Sequence, residues 1–146
     1  MPLNGDWFNE LGSKMTLQVN GQDVTGNYYT AVGDAEGIYE LAGRTNGTNT
    51  VGDLSVAWQN AYGDSESATA WSGEYHEDED MIVATWLLTS QTAEADDWKS
   101  TLVGKVTFQR QAPGKDVVSR ARKVRAPSHP AGLMQSRNSE PHHRAS

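Results

Sequence analysis

The chain has 146 residues, with 12 Lys and Arg against 19 Asp and Glu for a formal charge of -7, and it contains no Cys. Disulfides, thiolate metal sites and cysteine nucleophiles are excluded. The length suits one domain able to bury a real core, and no apolar run is long enough to span a bilayer. The charge is divided: residues 1–110 balance to -12 and residues 111–146 to +5. An acidic body argues against nucleic acid as the primary partner. The opening Met1-Pro-Leu-Asn-Gly shows neither the charged nor the apolar region of a secretory leader. The chain therefore reads either as a protein that stays where it is made or as a mature secreted form.

Taken in order, residues 5–11 predict a short first strand containing Trp7 and Phe8, broken by Gly12 and Ser13. Residues 14–20 alternate, with Met15, Leu17 and Val19 on one face. Asn20-Gly21 signals a hairpin, since primed two-residue turns need positive φ. Residues 24–30 form a third strand with Tyr28 and Thr30 on a common face. A glycine-bracketed loop at 33–37 leads to a fourth strand over residues 38–44, and residues 45–50 are a polar connection holding the Asn46-Gly47-Thr48 glycosylation triplet.

Leu54, Val56 and Trp58 alternate on a fifth strand; Ser67, Thr69, Trp71 and Tyr75 share a face of the sixth. The intervening turn His76-Glu-Asp-Glu-Asp80 is a charge cluster that keeps a hairpin end soluble, and it lacks recognised metal-ligand spacing. In the last pair, Ala84, Trp86 and Leu88 face Leu102, Gly104, Val106 and Phe108 across an acidic turn. Eight short antiparallel neighbours predict an all-β, up-and-down β-barrel, which closes its own edges and can hold one small ligand. From Gln111 onward, four Pro among Ser, Arg and His leave too little apolar surface to offset ordering entropy, so a disordered tail is expected, with two helical turns conceivable over 117–124.

Five blocks carry a family resemblance: Gly5-Asp-Trp-Phe-Asn-Glu-Leu-Gly-Ser13, Thr30-Ala-Val-Gly33, Ser67-Ala-Thr-Ala-Trp-Ser-Gly-Glu-Tyr75, Thr85-Trp-Leu-Leu-Thr-Ser90 and Trp98-Lys-Ser-Thr-Leu-Val-Gly104. In this order they resemble the avidin/streptavidin family, which binds biotin in the open end of each barrel, usually as a tetramer. The resemblance implies that Asn9, Ser13 and Tyr28 donate to the ureido oxygen and that Thr30 accepts from a ureido N–H. It places Thr69 at the thioether sulfur, with Ser67 and the Asp34 backbone N–H at the carboxylate. Trp58, Trp71 and Trp86 would wall the bicyclic ring, with Leu11, Val32 and Leu88 completing the apolar lining. Trp98 would reach a neighbouring subunit's pocket. Convergent donors on a polarised urea oxygen act as an oxyanion hole does, without a reaction following.

The chain departs from the family at three places. Val106 stands where an Asp accepting from a ureido N–H is common, so weakened binding is expected. Asp53-Leu54 replaces a usual Gly-Trp pair, so the barrel floor is expected to be repacked. Asp34 and Glu66 add negative charge at the mouth. No triad is in view: His76 sits on a turn, and His129, His142 and His143 lie in the tail. The reading is a non-enzymatic biotin binder without cofactor or metal. The alternative is an avidin-fold protein whose altered pocket takes another small ligand or serves assembly.

Overall fold

The computed structural model describes residues 2–30, 38–58 and 66–115. Eight strands form a closed barrel in sequence order: β1 (Gly5–Phe8), β2 (Lys14–Asn20), β3 (Asp23–Tyr29), β4 (Ile38–Thr45), β5 (Val51–Trp58), β6 (Ser67–His76), β7 (Met81–Ser90) and β8 (Thr101–Gln109). Every neighbouring pair is antiparallel, as expected for a meander joined by short turns. Because side chains alternate along a strand, closure sends every second residue into one interior. The buried set is that inward series: Trp7, Met15, Leu17, Val19, Val24, Tyr28, Leu41, Val56, Trp58, Trp71, Ala84, Trp86, Leu88, Val106 and Phe108.

Several local boundaries differ from the sequence expectation. β1 ends at Phe8 because residues 9–13 turn, with the Gly12 N–H donating to the Asn9 carbonyl at 3.1 Å. The first hairpin pairs Asn20 with Asp23, so its central residues are Gly21 and Gln22 rather than Asn20 and Gly21. Gly21 has φ +65°, and positive φ at the first central position is what a type II′ turn requires of glycine. β7 begins three residues earlier than Ala84, at Met81, which pairs with His76. The β7–β8 connection contains a 3₁₀ helix, Glu94–Lys99, which strand periodicity does not reveal. The expected tail, including its helical turns and histidines, lies outside the described residues beyond Lys115.

The seam between β1 and β8 has one register pair, Phe8 with Gln109. Arg110, the residue after β8, ties that seam. Its guanidinium lies 3.7 Å from the Trp7 ring centroid, Nη1 donates to the Asn4 carbonyl at 2.9 Å, and Nη2 donates to the Pro2 carbonyl. Nε meets Asp80 Oδ2 at 3.3 Å, joining the β6–β7 turn to the same knot. A planar cation stacked on indole while donating at its edges uses geometry that Lys cannot reproduce.

Arg110→Ala is expected to lower unfolding free energy by about 1–3 kcal/mol, from loss of the stack and the charge-assisted bonds. Arg110→Lys should recover less than half of that. Urea denaturation of the three proteins reads the difference, and equal stability of all three would remove Arg110 from the closure.

Candidate functional site

One pole of the barrel gathers the β1–β2 turn, the end of β3, the β5–β6 ends and the β7–β8 connection. Asn9 organises it. Its Oδ1 accepts from the backbone N–H of Leu11 and of Ser13, both at 3.0 Å, and its own N–H donates to the Ser13 carbonyl at 3.1 Å. Two backbone donors on Oδ1 settle which end of the amide is which. Nδ2 is thereby held in one orientation, buried, with no hydrogen-bond partner among the described residues. Ser13 is fully buried beside it, with its side chain near the Tyr28 phenol.

Register places the aromatic wall opposite. Tyr28 pairs with Met15 on β2 and with Tyr39 on β4. Its ring stacks on Trp71 at 5.3 Å and 23°, and meets Trp58 edge to face at 5.4 Å and 83°. Trp58 Nε1 donates to Thr69 Oγ1 at 2.7 Å, a bond between staggered residues of β5 and β6 that locks the indole. Trp71 and Trp86 are cross-strand partners, as are Thr69 and Leu88. Large rigid rings held by neighbours lose little freedom when a ligand arrives.

Of the residues singled out in the sequence, Asn9, Leu11, Ser13, Tyr28, Thr30, Trp58, Thr69, Trp71, Trp86, Leu88 and Val106 are all buried, and Ser67 is half-buried at the start of β6. Val106 faces Ala84 on β7, one inward step from the Trp86–Gly104 pair. Val32 and Asp34 lie outside the described residues. Trp98 is not brought to this cup: on the 3₁₀ helix it is 81% exposed, with Lys99 Nζ 5.6 Å from its ring. Tyr39 was missed by the sequence reading. It is half-buried and packs edge to face on Trp58 at 5.2 Å, and its alternation with Leu41 on β4 was the available signal.

The opposite pole holds Leu54, which packs against the core. A cavity of about 60 Å³ lies there, lined by Leu3, Leu54, Tyr75, Ile82 and Phe108, with Trp71 as its ceiling side. β4 and β5 approach so tightly here that a Cβ on Gly43 would sit 1.8 Å from the Asp53 carbonyl oxygen, which limits how far the strands can collapse inward. The acidic turn of residues 76–80 is used structurally: His76 Nε2 lies 3.1 Å from Glu74, and Asp80 takes Tyr75 and Arg110. Among the described residues no group of three or more His, Cys, Asp or Glu could hold a metal. The Asn46 amide of the glycosylation triplet is engaged within its own turn, donating to Thr48 and Thr50 Oγ1 at 2.9 Å.

Comparison with known proteins gives a consistent picture. A family model described as the avidin family matches residues 1–111. Avidin of Gallus gallus is 35% identical over 123 residues, covering 78% of this chain and 81% of that protein. Avidin-related protein 4/5 of Gallus gallus is 34% identical over 119 residues, covering 74% and 77%. Afifavidin of Afifella pfennigii is 37% identical over 98 residues, covering 61% and 58%.

Burial pushes the Tyr28 phenol well above its ordinary value of 10.0, and the nearby Ser13 side chain opposes this less strongly. The folded state keeps the proton that the unfolded chain releases near pH 10, so the stability held below that pH falls as pH rises beyond it. Tyr28→Phe should flatten part of this alkaline decline. Thermal melts of both proteins from pH 8 to 11 check it; identical pH slopes would refute it.

Proposed function

The chain belongs to the avidin family, and we propose that it is a non-catalytic protein that holds biotin in the Asn9–Tyr28 cup. The observation that carries this reading is the turn of residues 9–13. It presents a fixed, buried amide nitrogen beside the Ser13–Tyr28 hydroxyl pair, facing a wall of three indoles. Donors converging on one point suit a urea carbonyl, and a rigid aromatic wall suits the fused ring behind it. Thr30, buried just after β3, is the residue we assign to accept from one ureido N–H.

Val106 sets the expected strength. It is 3% exposed and apolar, so a ureido N–H directed at it loses its acceptor. An unpaired buried donor costs about 1–3 kcal/mol. Binding is then weaker than with a carboxylate at this position by roughly ten- to a hundredfold.

Self-association accompanies this reading. Leu87 and Val103 are directly paired on the outer face of β7 and β8 at 49% and 63% exposure. Ala70 continues the same outward row on β6, opposite Leu87. An outward apolar row and an exposed indole at Trp98 are features of a surface that another copy covers. A homotetramer in which Trp98 completes a neighbour's cup is the arrangement we favour. The floor cavity under Leu54 favours a second reading, an avidin-fold assembly module whose pocket has changed its ligand.

Biotin added to the protein should shift its tryptophan emission and raise its melting temperature. Val106→Asp should tighten binding by tenfold or more in calorimetry; a flat titration with both proteins would favour the second reading. Trp98→Ala should lower the assembled mass in size exclusion, or raise the biotin dissociation rate, and neither change would place Trp98 outside the interface.

A further inference from the structure

The wall of the cup is chemically one-sided. Four consecutive staves, β6, β7, β8 and β1 with its following turn, contribute Trp71, Trp86, Val106 and Asn9. Trp71 Nε1, Trp86 Nε1 and Asn9 Nδ2 are all buried donors with no hydrogen-bond partner among the described residues. Along β8 the inward positions are Leu102, Gly104, Val106 and Phe108, none of which has a side-chain acceptor; β7 adds Ala84, Trp86 and Leu88 and carries its inward hydroxyl, Ser90, at its last residue. The hydroxyls able to accept lie toward the rim, at Ser13, Tyr28 and Thr30 on the β1–β3 side, at Ser67 and Thr69 at the start of β6, and at Ser90 at the end of β7. Thr69 already accepts from Trp58.

Buried polar groups are almost always paired, and among the described residues three orphan donors flank β8, whose inward side chains include no acceptor, an arrangement that asks for acceptor atoms from outside. From this we infer that the cup selects a ring whose edge toward β8 presents an acceptor, a ring oxygen or carbonyl, where a symmetric cyclic urea presents an N–H. The ligand class is a five-membered cyclic carbamate or comparable one-sided ring carbonyl, with its single N–H directed at Thr30. Val106 is the specificity-determining residue. It offers nothing to an N–H and does not repel a ring oxygen, whereas a carboxylate there would do the reverse. The inference rests on the reading of this cup as the ligand site.

The test is titration calorimetry of the full chain with three compounds: biotin and the two isosteres in which one or the other ureido N–H is replaced by a ring oxygen. One isostere is expected to bind within threefold of biotin or more tightly, and its isomer, whose oxygen faces Thr30, at least tenfold more weakly. In Val106→Asp the favoured isostere should fall at least tenfold behind biotin. Biotin exceeding both isosteres by more than threefold in the unaltered chain overturns the inference while leaving the biotin site standing. No heat with any of the three overturns the cup itself. The comparison within the unaltered chain decides the matter even if Val106→Asp fails to fold.

Discussion

Closure of the sheet on itself is the constraint from which the rest follows. In an open sheet, alternation separates two faces but leaves both unpaired edges and an inner face needing cover. Joining β8 to β1 turns the inner face into a cylinder's interior, so each inward side chain meets inward side chains from the other staves. That join is slender, a single register pair at Phe8 and Gln109. The knot of Arg110, Trp7, Asp80 and the carbonyls of Pro2 and Asn4 holds it beyond the end of the ladder. Trp7, fully buried, serves as the platform on which this cation rests, and its own Nε1 donates to the Leu3 carbonyl at 2.9 Å.

The two poles of the cylinder do different work. At one, backbone hydrogen bonds within the turn of residues 9–13 occupy the acceptor end of Asn9 and leave its donor end buried without a partner among the described residues. Stacking of Tyr28 on Trp71 and the Trp58–Thr69 bond then fix the rings around it. The donors of Asn9 Nδ2, Trp71 Nε1 and Trp86 Nε1 stay buried without a hydrogen-bond partner among the described residues, which is unusual for a filled core. At the other pole, the turns are internally satisfied by Asn46, Asn49 and Asp80, and the space beneath Leu54 is apolar. Trp71 borders both regions.

Membership of the avidin family and the chain's departures from it are therefore compatible. The features that keep the fold, alternation and closure, do not involve the Val106 methyls or the size of residue 54. Val106 and Leu54 sit on the inward face of strands whose pairing is intact, so the fold accommodates them without change of topology.

Much of the architecture was legible in the chain because period-two alternation is local: the inward sets on β2, β6, β7 and β8 can be read from neighbours two residues apart. The ordered blocks from Gly5 to Gly104 likewise pointed to the cup, since Asn9, Ser13, Trp71 and Trp86 each sit within such a block. What the chain alone did not disclose is of two kinds. The one-residue shift of the first hairpin and the 3₁₀ helix before β8 are local, but strand alternation does not carry them; Tyr39 against Trp58 and the 104-residue and longer reaches of Arg110 depend on residues brought together from different strands. So does the fate of the floor. Whether a smaller Leu54 is compensated by its neighbours depends on how far β4 and β5 can move, and their close approach at Gly43 is a property of the folded sheet alone. Sequence determined which side chains face inward, because that is set by parity along each strand; tertiary structure decided which of them find partners, because pairing is set by register across strands.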